Sequence, residues 1–277
     1  MAKRGNNKNL KYALIAIGAV IVIFLVLIIV KSPTTQNING SDSLAPASLV
    51  NDISSLVNKA IQSVGVGTAS AQPKAISGPN LTQNGKPLVV YMGAEYCPYC
   101  ATERWPMVVA LTRFGSFTNL KITHSSSSDV YPDTQTFSFH GSSYTSKYIS
   151  FQPVEMYSNV AQGNGYTTLD KSTSEQQSLI NTYDAPPYVA SSDSGAIPFI
   201  YFGGKYIITG ASYSPTVLQG KTSQEIASAL TNPKSAISQG VYGAANLMTA
   251  AICSMTNNQP SNVCTNTIQG IENSLTK

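Results

Sequence analysis

Charge is scarce in this sequence. Only 11% of its 277 residues are Asp, Glu, Lys or Arg, whereas soluble domains average about 25%, and hydroxyl and amide side chains take their place. Because such a surface depends little on ionised carboxylates, we expect it to face an acidic exterior. Acids are absent from the first 31 residues, which hold five cations. The remainder is close to neutral, so it offers no basic footprint for nucleic acid.

Histidine and cysteine are scarce as well, with two and four residues. His124 ends one predicted strand and His140 follows another, which is not a metal-ligand pattern. A zinc site built from all four cysteines would need two closely spaced pairs, but Cys253 and Cys264 have ten residues between them. We therefore expect no metal.

The N-terminal end carries a long apolar run. Tyr12 to Val30 contains 19 residues without charge, which is long enough to cross a bilayer. Four cations precede it, which predicts a cytoplasmic N-terminus, and no clear small-residue cleavage site follows it. A buried core helix is the alternative, which we disfavour because the run is apolar on every side and is flanked by Lys11 and Lys31. We expect a cytoplasmic tail over residues 1–11 and an uncleaved single-pass anchor in the cell membrane over residues 12–30, with the rest extracytoplasmic.

Residues 31–84 have the composition of a stalk or linker, rich in Ser, Asn, Gln, Thr and Pro. Apolar residues at helical spacing between Ser43 and Val64 predict a short helix, which we expect to dock on the domain rather than on the membrane. Asn39 and Asn80 each begin a glycosylation sequon. Such triplets also arise by chance in this composition, so glycosylation stays open at both positions.

The most informative motif stands between a predicted strand, Leu88 to Met92, and a helix-like run, Ala101 to Phe114. It is the Cys-Pro-Tyr-Cys sequence that begins at Cys97. A thiol at a helix N-terminus has a lowered pKa and is more often the reactive thiolate. The second thiol lies one turn further, close enough to resolve a mixed disulfide. This pattern is typical of redox chemistry, although half a metal site and a short structural disulfide are alternatives.

A second feature lies about a hundred residues downstream. Gly195 to Tyr206 predicts a strand, a Gly-Gly turn and another strand. With the redox motif, the Ile-Pro before this hairpin resembles the thioredoxin superfamily. The resemblance implies that Cys97 is the nucleophile and Cys100 the resolving thiol. It also implies that Pro198 is cis beside them and that Ile197 presents its backbone to the substrate.

Details of the motif place the resemblance more finely. Pro98 fits the first turn of a helix, and we expect Pro98 and Tyr99 on the substrate side. The Pro-Tyr dipeptide is the one that glutaredoxins use, whereas the long gap before Pro198 is similar to the disulfide-oxidase branch, which carries a helical insertion there. With its anchor and its C-terminal cysteines, the chain looks most like an archaeal family of membrane-anchored thioredoxin-like proteins of unassigned function. The resemblance covers about residues 85–277.

The expected fold is α/β, with a thioredoxin-like domain over residues 85–232 and an insertion at about 125–190. Within the insertion we predict strands at Thr134–Phe139 and Tyr148–Val154, which Gly141–Lys147 could join as a hairpin turn. Ser172 to Tyr183 is a predicted helix, with a capping box from Ser172 to Glu175. Seven tyrosines suit either a substrate-binding face or a packed insertion, and we favour packing: Tyr131, Tyr144, Tyr148, Tyr157, Tyr166, Tyr183 and Tyr188.

The C-terminal part predicts helices at Thr216–Leu230, Ser235–Met255 and Ser261–Leu275, with residues 233–277 forming a helical hairpin. Cys97 and Cys100 are close enough to pair, which leaves Cys253 with Cys264. We expect the Cys253–Cys264 disulfide to clamp the hairpin, while a second redox pair is the alternative.

The chain departs from the thioredoxin pattern at one informative position. Thioredoxins carry a buried acid six residues before the first cysteine, where this chain has Tyr91. Glu95, expected to be exposed, and Glu103 are the candidates to manage the proton of Cys100. Trp105, the only tryptophan, is expected in the core or as a shield over the redox site.

These features predict a membrane-anchored, extracytoplasmic thiol–disulfide oxidoreductase that acts on exported proteins. Its partners would be protein thiols and disulfides, with room for an electron-transfer partner in the membrane, and the dithiol itself replaces any other cofactor. The alternative is a non-catalytic thioredoxin-like surface protein in which Cys97–Cys100 is a structural disulfide. The direction of electron flow depends on the reduction potential and is not predicted.

Overall fold

The computed structural model describes residues 43–55 and 63–275. This part of the chain has a mixed α/β architecture with six α-helices and thirteen β-strands. The predicted anchor at Tyr12–Val30, the basic tail and the sequon at Asn39 lie outside the described residues. Among the described residues, no helix is both long and apolar enough to cross a membrane.

Most of the described strands lie in the first two thirds of the chain. The strands are β1 (Ser43–Leu44), β2 (Lys74–Ala75), β3 (Thr82–Gln83), β4 (Lys86–Gly93), β5 (Gly115–Thr118), β6 (Lys121–His124), β7 (Gln135–Ser138), β8 (Ser143–Ser146), β9 (Ser150–Glu155), β10 (Tyr157–Gln162), β11 (Gly165–Thr168), β12 (Phe199–Phe202) and β13 (Tyr206–Thr209). The helices are α1 (Ala47–Ser55), α2 (Pro98–Thr112), α3 (Ser174–Tyr183), α4 (Ser223–Leu230), α5 (Ala236–Met255) and α6 (Asn266–Leu275).

A central sheet is organised around β4. This strand pairs antiparallel with β12 and parallel with β9, and β12 continues through β13 to β2. Every residue of β4 from Leu88 to Gly93 is buried, as expected for a strand covered on both faces. Val89 and Tyr91 face the larger core, whereas Leu88 and Met92 face a second, smaller core.

Helices cover both faces of this sheet. The larger core contains side chains of α2, α4, α5 and α6. The smaller core contains Leu179, Ile180 and Tyr183 of α3. Together, the strand–helix unit β4–α2 and the hairpin β12–β13 form the centre of the molecule.

Part of the predicted stalk belongs to the folded unit. Leu49 and Ile53 of α1 are buried in the larger core, as expected for a helix that docks on the domain. The strands β2 and β3 pair with β13 and β4, so the sheet begins before the predicted domain boundary at residue 85.

The predicted turn at Gly141–Lys147 is wrong, because this segment contains β8. Strand β8 pairs with β5, β7 pairs with β6, and β9 joins the central sheet instead of returning along β7. The end of α2 binds the segment: Tyr144 donates a hydrogen bond to the Leu111 carbonyl at 2.8 Å, and Ser146 donates one to the Phe114 carbonyl at 2.6 Å. Residues 125–190 consist mainly of strands, whereas the resemblance to the disulfide-oxidase branch implied a helical insertion.

Several helix ends differ from the prediction. The capping box of α3 uses Thr173 and Gln176, one residue after the predicted pair. The predicted helix at Thr216–Leu230 is interrupted, since a 3-10 turn ends at Leu218 and α4 starts after Thr222, its N-cap. Gly220, between them, has a φ of +68°, which a continuous right-handed helix does not allow.

Candidate functional site

The start of α2 positions the cysteine motif. Strand β4 ends at Gly93, and Pro98 occupies the first turn of α2, where its missing N–H costs nothing. Cys97 is therefore the N-cap residue, in an extended conformation, and its sulfur accepts a hydrogen bond from the Cys100 N–H at 3.2 Å. Cys97 and Cys100 are both thiols in this structure. Their exposed fractions are 5% and 0%, so only the first is open to solvent at all.

The two thiols have opposite electrostatic surroundings. The hydrogen bond from the Cys100 thiol lowers the pKa of Cys97, and the backbone N–H of Cys100 and the charge of Arg104 act in the same direction, against burial. Burial raises the pKa of Cys100 well above its usual value, and its hydrogen bond to Cys97 adds to this effect. The arrangement favours a thiolate at Cys97 and a protonated thiol at Cys100.

The segment before β12 lies against the first cysteine. The Ile197–Pro198 peptide bond is cis, as the resemblance implies, and the Cys97 sulfur is 3.7 Å from the Ile197 carbonyl oxygen. A cavity of about 480 Å³ opens beside this contact, and its lining includes Tyr99, Ile197 and Val189. Tyr99 is 42% exposed, whereas Pro98 is buried.

The candidate site therefore brings together residues from both sequence motifs. Cys97, Cys100 and Ile197 lie together beside Pro198, and Tyr99 and Ile197 line the adjacent cavity. A polypeptide placed in the cavity would contact Ile197, whose carbonyl oxygen lies 3.7 Å from the Cys97 sulfur.

A buried ion pair that the sequence did not predict lies near the thiols. Arg104 on α2 donates to both carboxylate oxygens of Glu155, at 2.8 and 2.6 Å, and to the Ala94 carbonyl at 2.7 Å. The side chains of Arg104 and Glu155 are fully buried. They are 51 positions apart in the sequence, and the parallel pairing of β4 with β9 places Glu155 opposite Gly93.

Tyr91 completes this buried layer. It is fully buried, its ring packs edge-on against Phe139, and the Arg104 guanidinium lies 5.9 Å from the ring centre. Within the described part of the chain, neither the Tyr91 hydroxyl nor Nη1 of Arg104 has a hydrogen-bond partner. A Cβ at Gly93 would lie 2.1 Å from the Tyr91 hydroxyl oxygen, so Tyr91 fills the space that a side chain at position 93 would need.

The prediction that Glu95 is exposed is wrong. Its exposed fraction is 1%, because its backbone N–H binds the Tyr157 carbonyl of β10 and its carboxylate accepts a hydrogen bond from Ser138 of β7. The insertion therefore covers this side of the motif. Polar residues such as Tyr157 and Ser138, distant in sequence, gave no signal of this burial.

Glu103 is also buried, but it is directed away from the thiols. Its carboxylate accepts hydrogen bonds from the Ser212 N–H, at 2.7 Å, and from the Ser212 hydroxyl. Burial raises the pKa of Glu103 to about 7, although the two bonds from Ser212 oppose the shift. These contacts make Glu103 a link between α2 and the segment after β13.

The tyrosines divide into two groups rather than one face. Near the motif, Tyr96 stacks on Tyr166 with ring centres 4.2 Å apart, and Tyr99 packs edge-on against Tyr131 at 5.9 Å. Away from the motif, Tyr144 packs on Phe117 and Phe151, and Tyr183 packs on Tyr188 and Tyr201.

The other residues singled out in the sequence lie away from the cysteine motif or in the core. Cys253 and Cys264 form a disulfide that joins the last turn of α5 to the segment before α6, and both are buried. Trp105 is in the core, and its indole N–H donates to the Gln135 carbonyl at 2.9 Å. His124 lies 3.3 Å from Asp133 and His140 lies 2.7 Å from Asp170. Within residues 43–55 and 63–275, no group of three potential metal-binding His, Cys, Asp or Glu side chains was found.

Comparison with known proteins places most of the chain in one family. A family model described as a domain of unknown function (DUF929) matches residues 72–254. This span includes β2 to β13 and nearly all of α5, and hence the whole cysteine site. No curated protein and no solved structure matches the chain.

Proposed function

The chain belongs to the DUF929 family, and from the geometry of its site we propose that it is a thiol–disulfide oxidoreductase with a thioredoxin-like core. The observation that carries this proposal is the position of Cys97. Its sulfur caps α2 and accepts the Cys100 N–H, while the Ile197 carbonyl lies 3.7 Å away. A sulfur placed at the positive end of a helix is held as the reactive thiolate.

The arrangement around the motif supports the thioredoxin-like assignment. Strand β4 leads into the redox helix, and Pro198 precedes the antiparallel hairpin β12–β13, which pairs with β4. Helices cover both faces of the sheet. The insertion, built mostly of β-strands, and the hairpin of α5 and α6 are additions to this core.

The reaction follows from the unequal thiols. The Cys97 thiolate attacks one sulfur of a substrate disulfide, which forms a mixed disulfide and releases the other substrate sulfur as a thiolate. Cys100 then loses its proton and attacks the Cys97 sulfur, so that the Cys97–Cys100 bond forms and the substrate–Cys97 bond breaks. The second substrate sulfur takes up the proton, and the substrate is reduced by two electrons. The same steps in reverse oxidise a substrate dithiol.

We place this activity outside the cytoplasm, on proteins that carry thiols or disulfides after export. Three features support the location: the apolar run Tyr12–Val30 with its preceding cations, the low charge of the chain, and the Cys253–Cys264 disulfide. Structural disulfides are typical of oxidising compartments. A membrane electron carrier would be the natural partner to recycle the dithiol.

The reduction potential of the Cys97–Cys100 pair tests the proposal. It is measured on the full-length chain in detergent, with Cys253–Cys264 intact, by equilibration against glutathione or dithiothreitol buffers. A value of about −120 to −180 mV would indicate a disulfide donor, and one near about −270 mV a reductase. Catalysed reduction or oxidation of a model protein disulfide should accompany either value.

The non-catalytic alternative is favoured by one observation, the 5% exposure of Cys97. In that case the Cys97–Cys100 bond would be a structural clamp at the start of α2. A potential below about −300 mV without turnover would support the clamp and contradict the enzyme proposal.

A further inference from the structure

The buried pair of Arg104 and Glu155 occupies a position that matters for the resolving thiol. Arg104 follows Cys100 by four residues on α2, so the two side chains lie on the same face of the helix. The guanidinium is fixed by Glu155 and by the carbonyl of Ala94, which lies three residues before Cys97. The positive charge is therefore held between the end of β4 and the redox helix.

The pair is poorly explained as a stabilising contact alone. Two buried charges lose much hydration energy, and replacing such pairs by apolar residues is often neutral or stabilising. Here Nη1 of Arg104 and the neighbouring Tyr91 hydroxyl have no hydrogen-bond partner among the described residues. A buried charge with an unsatisfied N–H, next to a reactive dithiol, indicates a role in the chemistry.

The charges around Cys100 support this role. Burial and then the hydrogen bond to Cys97 raise the pKa of Cys100, and the charge of Arg104 opposes them, followed by the Ala94 backbone. Arg104 also lowers the pKa of Cys97. The titratable or charged side chains of the surrounding elements are Cys97, Arg104 and Glu103 of α2 and its cap, Tyr91 of β4, Glu95 and Tyr96 of the following loop, and Glu155 of β9.

We propose that Arg104 is the positioning residue for the resolving thiol, and that Glu155 sets the strength of its effect. The guanidinium stabilises the negative charge that the Cys100 sulfur carries when it attacks the Cys97 sulfur, or when it leaves that sulfur in the reverse reaction. The carboxylate of Glu155 orients Arg104 and partly neutralises it. Tyr91 stands where thioredoxins carry a buried acid. In this chain Arg104 supplies the charge that acts on Cys100. This inference rests on the proposed function.

The test follows the resolving step directly. The reduced full-length protein is mixed in the stopped-flow instrument with the symmetrical disulfide of nitrothiobenzoate, a chromogenic aromatic thiol. Cys97 attacks this disulfide, so that the mixed disulfide forms and a first coloured thiolate leaves, and the resolving step releases the second. Attack by the Cys100 thiolate forms the Cys97–Cys100 bond and releases this second thiolate, which is followed across a pH series. Cys100→Ser is the control, because it must abolish the second release.

The two members of the pair should act in opposite directions. Arg104→Met removes the positive charge, raises the pKa of Cys100 and should slow release at least tenfold at neutral pH, the change expected for one pKa unit. Glu155→Gln leaves the charge of Arg104 without its counter-ion and should speed release by several-fold. Arg104→Lys keeps a cation and should remain closer to the wild type than Arg104→Met.

A merely structural pair would behave differently, since either substitution would disturb the motif and slow release. The double variant Arg104→Met with Glu155→Gln, which leaves no unpaired buried charge, keeps the test valid if Arg104→Met does not fold. It should release more slowly than Glu155→Gln alone. Equal pH profiles in all folded variants would overturn the inference. If the wild type itself releases no thiol, the proposed function fails instead.

Discussion

The two cysteine pairs of this chain lie in different surroundings. Cys97 and Cys100 meet at the start of a helix, beside a cavity and above a buried guanidinium. Cys253 and Cys264 meet at the end of a helix, among apolar side chains of the larger core. The first pair has a helix N-terminus and a cation to stabilise a thiolate, and the second pair is bonded in the core.

The difference teaches that the spacing of two cysteines in the sequence is a weaker guide to their reactivity than the helix end at which they lie. Both pairs join residues close enough for a disulfide. A helix N-terminus favours an anion, and a C-terminus disfavours it. The reactivity of a thiol pair should therefore follow the helix end on which it lies, and the first two of the following experiments test that rule.

The largest effect is expected from Cys97→Ser, which removes the proposed nucleophile. Exchange with a protein disulfide should fall to the uncatalysed rate, because the buried Cys100 thiol is protonated and cannot replace it. Turnover is measured by the reduction of an insulin-type substrate. Cys100→Ser is the matched variant, and it should instead accumulate a mixed disulfide visible by mass spectrometry. Turnover that survives in Cys97→Ser would refute the assignment of the nucleophile.

The second pair should respond in stability rather than in chemistry. Replacing both Cys253 and Cys264 by Ala should lower the free energy of unfolding by about 2–3 kcal/mol, as expected for a short closed loop. Chemical denaturation measures this change, and the exchange rate should stay within about twofold of the wild type, as expected for a substitution outside the proposed site. A large loss of exchange in the folded double variant would instead indicate electron relay between the pairs.

The third prediction concerns Glu103, the buried acid of α2, which we expect to affect stability and not the chemistry of the thiols. The pKa of Glu103 is raised to about 7, so the folded state holds its proton more tightly than the unfolded state. Stability should therefore fall as the pH rises, by about 2 kcal/mol between about pH 5 and pH 7.

Glu103→Gln imitates the protonated acid and should flatten this dependence, measured by thermal unfolding at each pH. Because Glu103 binds Ser212 rather than a cysteine, the pH profile of exchange should keep its shape. A shifted profile would indicate that Glu103 exchanges a proton with Cys100 after all.

The smallest effect is expected at the opening of the site. Tyr99 is exposed and lines the cavity, so Tyr99→Ala should lower kcat/KM for a protein disulfide by a few-fold, as one exposed aromatic contact would. The rate with a small aromatic disulfide should not change. Tyr188→Ala, in the smaller core region, serves as a comparison outside the opening. Equal losses with both substrates would mean that Tyr99 affects the thiols instead.

Local patterns predicted the parts of the site that are continuous in sequence. The run from Leu88 to Cys100 contains its own strand signal, its terminating glycine and its helix start. The Ile-Pro motif and the Gly-Gly turn likewise identified β12 and β13 as a hairpin. In each case the deciding interactions join neighbouring residues.

The missed parts depend on pairings between distant strands. Glu155 reaches Arg104 only because β9 joins β4 in parallel, and the prediction had given the segment before β9 to a hairpin turn. Glu95 was expected to be exposed because nothing nearby in sequence covers it, and the covering strands follow more than 40 residues later. The available signal was the adjacent pair Arg104 and Trp105, which are both buried in the structure.

The contact between Tyr91 and Gly93 fixes the order in which this site can change. Alanine at position 93 would collide with the Tyr91 ring. This substitution is therefore sterically disfavoured as long as position 91 is aromatic. A smaller residue at 91 opens it, and it also vacates the space beside Arg104 in which a carboxylate could stand. In the reverse order, alanine at position 93 would meet the intact tyrosine, and the ring or the backbone would have to shift. The Tyr91 side chain thus limits which residues position 93 can accept.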